Sequence, residues 1–506
     1  MIKNFQEIKK VEVCIVGSGI GGSTLALKLA EKGIGFIIIE AGGLKNSSNN
    51  VTFENIGRKF GLRTTRSIQL GGTTNLWHGV LSPLDKIDFE RRAWVANSGW
   101  PISLDDLEPF YKEAADIFNV KDYDFFNTFN LSNKLKEKIS DMKFNRNFLK
   151  NKMFQQPLPV KNFKNDIIKL VKTSNKYHLS LNTTALELLK DTNGCITGLK
   201  CGTENGSIFE IKANDYIIST GALETPRLLL NSNINNKNIG RYLMDHPMSS
   251  LCQVQPMYKQ KTHIYSAIKY TPTVVIKTGL ELRDNIQKNL KLPNHAFYMR
   301  PSFAKGVNNG HRKIKLSLLT FKDGGVTFKD IWNVITSFNV IFQLLLYKFS
   351  LNTTYKYVDL FFVAEQTPTF NSKVSLSNKL DKWGYPISKV NWQVSTKDKK
   401  YMNQWYEIIK DKCFPDSQYK LTHKFNESDW NTDFTSAAHH VGTARMGTSD
   451  IHGVVDKNLK VFNIDNLYLC DGSIFTTSGN VNSGFTIAAF ACRLADYFES
   501  KGKNQG

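Results

Sequence analysis

Residues 11–16 read VEVCIV, a short apolar run rich in β-branched side chains, and Gly17-Ser18-Gly19-Ile20-Gly21-Gly22 follows at once. Apolar residues then recur at helical spacing through Lys32, and a second apolar run, Gly35–Ile39, ends at Glu40. This is a strand, a GxGxxG turn, a helix, a second strand and an acid. The glycines have separate tasks: Gly17 permits the tight turn, Gly19 lets backbone approach a pyrophosphate, and Gly22 lets the helix pack close to the strand. The helix start offers free N–H groups and the positive end of its dipole to phosphate. Glu40, 18 residues beyond Gly22, is placed to accept hydrogen bonds from a ribose diol and disfavours a 2′-phosphate. The pattern predicts a dinucleotide-binding βαβ unit. FAD and NAD share it, so the motif alone does not choose between them.

At 41% hydrophobic and 22% charged residues the chain has the composition of a globular protein. Its 506 residues suggest roughly three or four domains, or two large interwoven ones in a cofactor enzyme. The formal charge of +21 comes mainly from scattered lysines. Basic and aromatic residues are not clustered on one stretch as a nucleic-acid binder requires, so no nucleic-acid partner is expected. Seven cysteines are dispersed without a CxxC pair, which argues against a disulfide framework or a metal site and fits a reducing compartment. The residues ahead of Val11 are polar and basic, with no secretory apolar core. A cytoplasmic location is the resulting expectation.

A second informative block begins at Leu70, LGGTTNLWHG, and continues through SPLDKIDFERR to SGWPISLDDLEPFYKEAADIF. A third is Gly221-Ala222-Leu223-Glu224-Thr225-Pro226-Arg227, followed by Ile239-Gly240-Arg241-Tyr242-Leu243-Met244-Asp245-His246-Pro247. The C-terminal part adds His439-His440-Val441-Gly442-Thr443, Leu469-Cys470-Asp471-Gly472, and Asn480-Val481-Asn482-Ser483-Gly484-Phe485-Thr486. Together these resemble the glucose–methanol–choline (GMC) family of flavin oxidoreductases, over about residues 10–120, 180–250 and 435–500. Trp77 and the chain length look most like its bacterial-type and pyranose-oxidizing branches. The resemblance implies FAD as cofactor. It places Gly72, Thr73 and Asn75 against the isoalloxazine, Leu186 and Gly221 near the ADP part, and Asp471 and Gly472 at the flavin side chain. The backbone of Gly484, Phe485 and Thr486 comes under the ring. Some family members carry a flavin-linking histidine in the glycine turn. Leu76 holds that position here, so noncovalent FAD is expected, and the linkage is not transferred to His78. His246 is expected to be structural.

An alcohol carbon releases hydride readily only if its oxygen gives up the proton as the C–H bond breaks. A neutral imidazole suits that task, and a second polar group must orient the same oxygen. Residue-by-residue resemblance assigns His439 as base and Asn482 as its partner, with His440 the runner-up. The family's usual Asn-Pro is Asn482-Ser483 here, which softens the turn that aims Asn482. The implied reaction is oxidation of an alcohol (CH–OH) group, first of a sugar, aminosugar or polyol, and next of an aliphatic or lipid-linked alcohol. The family also holds lyase-like members, so a non-redox or inactive flavoprotein is the other alternative. No haem or iron–sulfur spacing occurs, so an external acceptor such as oxygen, a quinone or a redox protein is expected, and no metal.

The implied architecture is an α/β, Rossmann-like, doubly wound FAD-binding domain with an α+β substrate domain built on a mainly antiparallel sheet. The expected boundaries are 1–120, 176–250 and 435–506 for the FAD domain, 121–175 for a connecting or lid segment, and 251–434 for the substrate domain. Ser249–Met257, Lys313–Phe321 and Tyr357–Ala364 read as strands of the last, with Glu365 a candidate substrate contact. Ser103 reads as the cap of a helix running to Phe118. Ile331–Ser350 is apolar but broken by Asn333, Asn339 and Gln343. It reads as a packed pocket cover, an interfacial helix in peripheral membrane contact, or, least of all, a span.

Overall fold

In the computed structural model, which describes residues 11–46, 53–58, 65–120, 123, 126, 143–258, 260–261, 265, 267–306, 326–349, 354–423 and 435–503, the N-terminal pattern folds as its residues dictate. Val11–Val16 forms strand β1, Ile20–Glu31 helix α1 and Phe36–Ile39 strand β2. Strand β2 is buried along its whole length, as expected of a parallel strand covered on both faces. Five parallel strands run in the order Leu467–Leu469, Ala213–Ile218, β1, β2, Tyr177–Ser180. Four distant stretches of chain therefore build one sheet. Helix α1 packs against the long C-terminal helix Gly484–Lys503, which in turn packs on helix Leu104–Ile117.

That last helix starts where the sequence indicated. The Ser103 hydroxyl accepts from the Asp106 amide at 3.2 Å, and the Asp106 carboxylate accepts from the Ser103 amide at 2.8 Å. The reciprocal pair satisfies two amides that a helix start otherwise leaves open.

The second sheet has eight strands and is mainly antiparallel, with a path from Ile268–Thr271 through Val274–Leu282, Ala296–Ser302, Tyr357–Val363 and Pro247–Pro256 to Tyr419–His423. Helix Thr396–Ile408 covers it with Trp405, whose ring meets His295, Phe297 and Phe362. The strands expected near 249–257 and 357–364 are Pro247–Pro256 and Tyr357–Val363. The one expected at Lys313–Phe321 lies outside the described residues.

Several placements differ from the sequence reading. Leu149–Pro157, inside the stretch read as a connecting or lid segment, is a nine-residue strand paired along its length with Val274–Leu282. It is part of the substrate-side sheet. Thr183–Lys190 pairs antiparallel with Ile196–Thr203, which pairs antiparallel with Ile208–Ile211, in a three-stranded sheet separate from the parallel one. The stretch read as one apolar helix is two, Phe328–Ile335 and Phe338–Lys348. No helix among the described residues is long and apolar enough to cross a membrane.

Candidate functional site

A cavity of about 1770 Å³ runs from the β1–α1 turn to the antiparallel sheet. That exceeds the roughly 300–1,000 Å³ typical of a small-ligand pocket, so a dinucleotide and a substrate fit together. At its head the glycines divide the work sterically. Gly17 holds φ at +97°, and a Cβ there would stand 2.5 Å from the Ser219 carbonyl oxygen. A Cβ on Gly21 would collide with the Cys470 carbonyl oxygen, and one on Gly22 with the Gly17 carbonyl oxygen. Gly19 differs: a Cβ there would meet no protein atom within 4 Å. It faces the open cavity, where a phosphate could approach. Gly19 caps α1 without a side-chain hydrogen bond, and no acid sits in the first turn. The positive helix end is thus free for an anion.

Glu40 closes this end. Its carboxylate accepts from the Ser18 amide at 3.0 Å, the Ser18 hydroxyl at 2.5 Å and the Gly42 amide at 2.9 Å. Burial raises its pKa, and those donors with Arg66 oppose the rise. The Ser18 hydroxyl also accepts from the Gly71 amide at 3.0 Å. One serine therefore ties the ribose-side acid to the second glycine turn. Ser18 occupies a variable position of GxGxxG, and nothing in the sequence marked it.

Gly71 and Gly72 both have positive φ, +87° and +53°. A Cβ on Gly72 would stand 3.0 Å from Gly19 Cα, so the two glycine turns touch. Gly72 and Thr73 line the cavity. Asn75 does not line it: its amide donates to the Leu70 and Gly72 carbonyls at 3.1 and 2.7 Å. It holds the turn. Leu76, Trp77 and His78 border the space.

Leu186, Gly221, Asp471 and Gly472 also line the cavity. Asp471 accepts from the Gly221 amide at 2.8 Å, the Thr225 hydroxyl at 2.5 Å and the Ser473 amide at 2.8 Å. Burial raises its pKa and these donors counter it. Gly484 is in the wall, with its Cα side against Ile20 and Trp77. Phe485, Thr486 and Gly22 are not in the wall. Phe485 packs among Tyr111, Phe118 and Tyr123, and the Thr486 hydroxyl pairs with Tyr111 at 2.7 Å. From Gly484 the helix turns its next two side chains into the core, and Ile487 one turn on returns to the cavity wall.

At the far end His439, His440 and Asn482 share the wall with Met248, Tyr265 and Tyr298. Asn482 donates one amide hydrogen to the Val80 carbonyl at 2.9 Å. The His439 ring meets His246 edge-on at 5.3 Å, and its Nδ1 is buried without a partner. Burial, reinforced by the neighbouring His246 and opposed by Asp245, takes its pKa down to about 3. The ring is thus neutral at pH 7, with a lone pair free for a proton. His246 is buried, its ring nitrogens 3.1 and 3.0 Å from the carbonyl oxygens of Ala364 and Val481. It braces the residue next to Asn482.

Asp245 organises this end. Its carboxylate accepts from the amides of His246 at 2.7 Å and His439 at 3.0 Å and from the Ser436 hydroxyl, and lies 3.6 Å from His440 Nε2. The residue stood in a quoted motif, yet its partner Ser436 lies 191 positions away, too far for any local signal. Glu365 is not a substrate contact. It is fully enclosed, paired with both terminal nitrogens of Arg92 at 2.7 and 2.5 Å, and accepts from the Asn294 amide at 2.6 Å. Among the described residues no group of three or more His, Cys, Asp or Glu side chains is placed to hold a metal ion.

Two family models, both described as GMC oxidoreductase, match residues 163–248 and 368–491. A 2-methyl-1,2-propanediol dehydrogenase from Mycolicibacterium austroafricanum is 23% identical, over 97% of this chain and 96% of its own. An ecdysone oxidase from Bombyx mori is 24% identical, over 96% of this chain and 81% of its own. Among solved structures, pyridoxine 4-oxidase from Mesorbium loti has a TM-score of 0.53 at 15% identity, covering 97% of this chain and 99% of its own. A formate oxidase from Aspergillus oryzae RIB40 has a TM-score of 0.56 at 14% identity, covering 98% and 99%. At those identities the structural likeness establishes the fold.

Proposed function

The chain belongs to the GMC oxidoreductase family and is an FAD-dependent enzyme that oxidises alcohols; from that premise we propose that His439 is its base and Asn482 orients the alcohol oxygen. The observation that carries the assignment is one wall. A neutral imidazole and a tethered carboxamide border the same cavity as the dinucleotide cradle. FAD, when bound there, supplies the hydride acceptor. The glycine turns and the start of α1 would hold its phosphates, and Glu40 and Asp471 would face its hydroxyl-bearing parts. With Nδ1 of His439 enclosed, Nε2 is the nitrogen that takes the alcohol proton. The Asp245 carboxylate favours the resulting imidazolium, which lowers the cost of charging a buried ring. Asn482, with one amide hydrogen committed to Val80, keeps its other amide hydrogen and its oxygen for the alcohol.

For the substrate, the sequence favoured a sugar, aminosugar or polyol. The lining by Met248, Tyr265, Tyr298, Phe361 and Val363 supports an alcohol with a larger apolar or ring-bearing body. A polyol needs a partner for every buried hydroxyl; Met248, Phe361 and Val363 supply none, and the Tyr265 and Tyr298 hydroxyls with Ser250, Lys277, Arg300 and Asp359 supply partners for only part of a substrate. The named substrate of the ecdysone oxidase accords with that shift, whereas that of the diol dehydrogenase is a small diol. The domain limits 1–120, 176–250 and 435–506 for FAD and 251–434 for substrate remain a working division. Strand Leu149–Pro157 belongs with the second.

The test is anaerobic. Holoenzyme is mixed with pools of aliphatic, sterol-like, aromatic, sugar and polyol alcohols while the oxidised flavin band is followed. Bleaching by an apolar or ring-bearing pool supports the reading. Bleaching by the sugar pool alone restores the polyol expectation. FAD retained with no bleaching by any pool opposes alcohol oxidation. Admitting air to the bleached enzyme then separates oxygen from a quinone or protein acceptor.

A further inference from the structure

Helices Phe328–Ile335 and Phe338–Lys348 carry their largest apolar side chains on the outside. Along the first, Phe328, Ile331, Trp332 and Ile335 recur at i, i+3, i+4 and i+7, the spacing of one helix face. Along the second and its end, Phe338, Phe342, Leu345 and Phe349 recur at i, i+4, i+7 and i+11, again one helix face. All eight are exposed, Phe328 at 80%, Trp332 at 57%, Phe338 at 74% and Phe349 at 68%. An amphipathic helix in a water-soluble protein turns such a face inward. Two consecutive helices in contact with each other both turn such a face outward, and exposed apolar surface of that kind marks an interaction site.

Charge identifies the partner. Residues 301–358, which contain the hairpin, carry eight Lys or Arg against two Asp and no Glu. The whole chain carries +21. Apolar aromatic faces within a basic segment match an anionic lipid surface, where rings enter the headgroup boundary and cations meet phosphate. The helices have 8 and 11 residues. They are too short to cross a bilayer and suited to lying in its plane. The hairpin also gives Val340 to the wall of the large cavity, so the patch adjoins the space the substrate occupies. We propose that the Phe328–Phe349 hairpin docks the enzyme on an anionic lipid surface, with its outer apolar face in the headgroup boundary. A lipid-borne alcohol would then meet the cavity without crossing water; that consequence rests on the apolar-substrate reading, whereas the docking itself does not.

The experiment uses holoenzyme and sedimentation with vesicles of phosphatidylcholine alone or mixed in equal parts with phosphatidylglycerol. Wild-type protein is expected to pellet with the mixed vesicles, and less so as salt rises from about 0.1 M to about 1 M. Trp332→Glu/Phe338→Glu is expected to weaken the partition by on the order of 100-fold, with the flavin spectrum unchanged. Should that pair lose FAD, Trp332→Ser/Phe338→Ser takes its place. Failure of wild-type protein to pellet with mixed vesicles, or equal pelleting of the variants, overturns the proposal. So does a concentration-dependent dimer in sedimentation velocity that the variants abolish without any vesicle binding, since a second copy would then cover the patch. None of these readouts requires turnover, so their failure is distinct from failure of the substrate reading.

Discussion

Gly19→Ala separates cofactor binding from folding. Gly19 has φ −67° and ψ −166°, a backbone that any residue adopts. The added methyl would meet no protein atom within 4 Å. Relief of glycine's flexibility in the unfolded chain favours the variant by about 0.4–1 kcal/mol. Alanine is a poorer helix cap than glycine by a similar amount. The two offset, so stability without cofactor should stay within about 1 kcal/mol of wild type. The methyl does occupy the opening in front of the α1 amides. Pushing a phosphate away from one charge-assisted hydrogen bond costs about 1.5–3 kcal/mol, or roughly 10- to 150-fold in affinity. Urea unfolding of apoprotein reads the first quantity and FAD titration by flavin fluorescence the second. Gly21→Ala is the contrast: its Cβ collides with the Cys470 carbonyl, and overpacking of that kind costs about 1–3 kcal/mol of stability. Unchanged FAD affinity in Gly19→Ala, or a stability loss matching that of Gly21→Ala, would refute the cradle geometry.

Other expectations concern the base, the histidine core and the flavin link. His439→Ala should keep FAD yet slow anaerobic flavin reduction by roughly 100- to 10,000-fold; stopped-flow bleaching reads it, and a loss confined to His440→Ala would move the role one residue on. His295 is buried, accepts from the Glu365 amide at 2.9 Å, and has its pKa taken by burial down to about 3. Its unfolded form therefore binds more protons between pH 6.5 and about 3, so stability from this group falls as pH drops through that window, by roughly 3 kcal/mol at pH 4. Urea midpoints of wild type and His295→Asn at pH 7 and pH 4 isolate that slope, and parallel slopes would remove His295 as its source. With Leu76 at the family's linking position, acid precipitation should leave the flavin in the supernatant; a yellow pellet would show a covalent bond.

The parts legible in the sequence are those with local causes. The glycine spacing of residues 17–22 reports a turn, an approach and a packing contact; Gly17 and Gly22 press on backbone that a side chain would strike, and Gly19 faces open cavity. Ser103 announced its helix because a cap and its partner lie three residues apart. What stayed hidden depends on remote partners. Leu149–Pro157 looked like a connector because its pairing with Val274–Leu282 leaves no local periodicity. Glu365 looked available because Arg92, 273 positions earlier, is what consumes it. Asn75, Phe485 and Thr486 lie inside the quoted motifs but outside the cavity wall; a motif fixes the backbone path and not which side chains border the cavity.

The two ends of the cavity handle buried carboxylates in different ways, and that difference explains how one space can hold two chemistries. Glu40 and Asp471 at the cofactor end are each surrounded by amide and hydroxyl donors of the chain. They are fixed acceptors whose geometry does not wait for a ligand, as preorganised binding requires. Asp245 at the substrate end accepts backbone amides too, but those amides belong to His246 and His439. Its charge therefore bears on the imidazole as well as on the backbone. Without it, burial and the neighbouring His246 would oppose proton uptake by His439 unchecked. With it, the ring stays neutral at rest and has a compensating anion close by when it takes the proton. Asp245→Asn keeps the side chain's shape and removes the charge. It should therefore depress flavin reduction more than it depresses FAD affinity, and equal losses in both would show that Asp245 serves only to hold the fold.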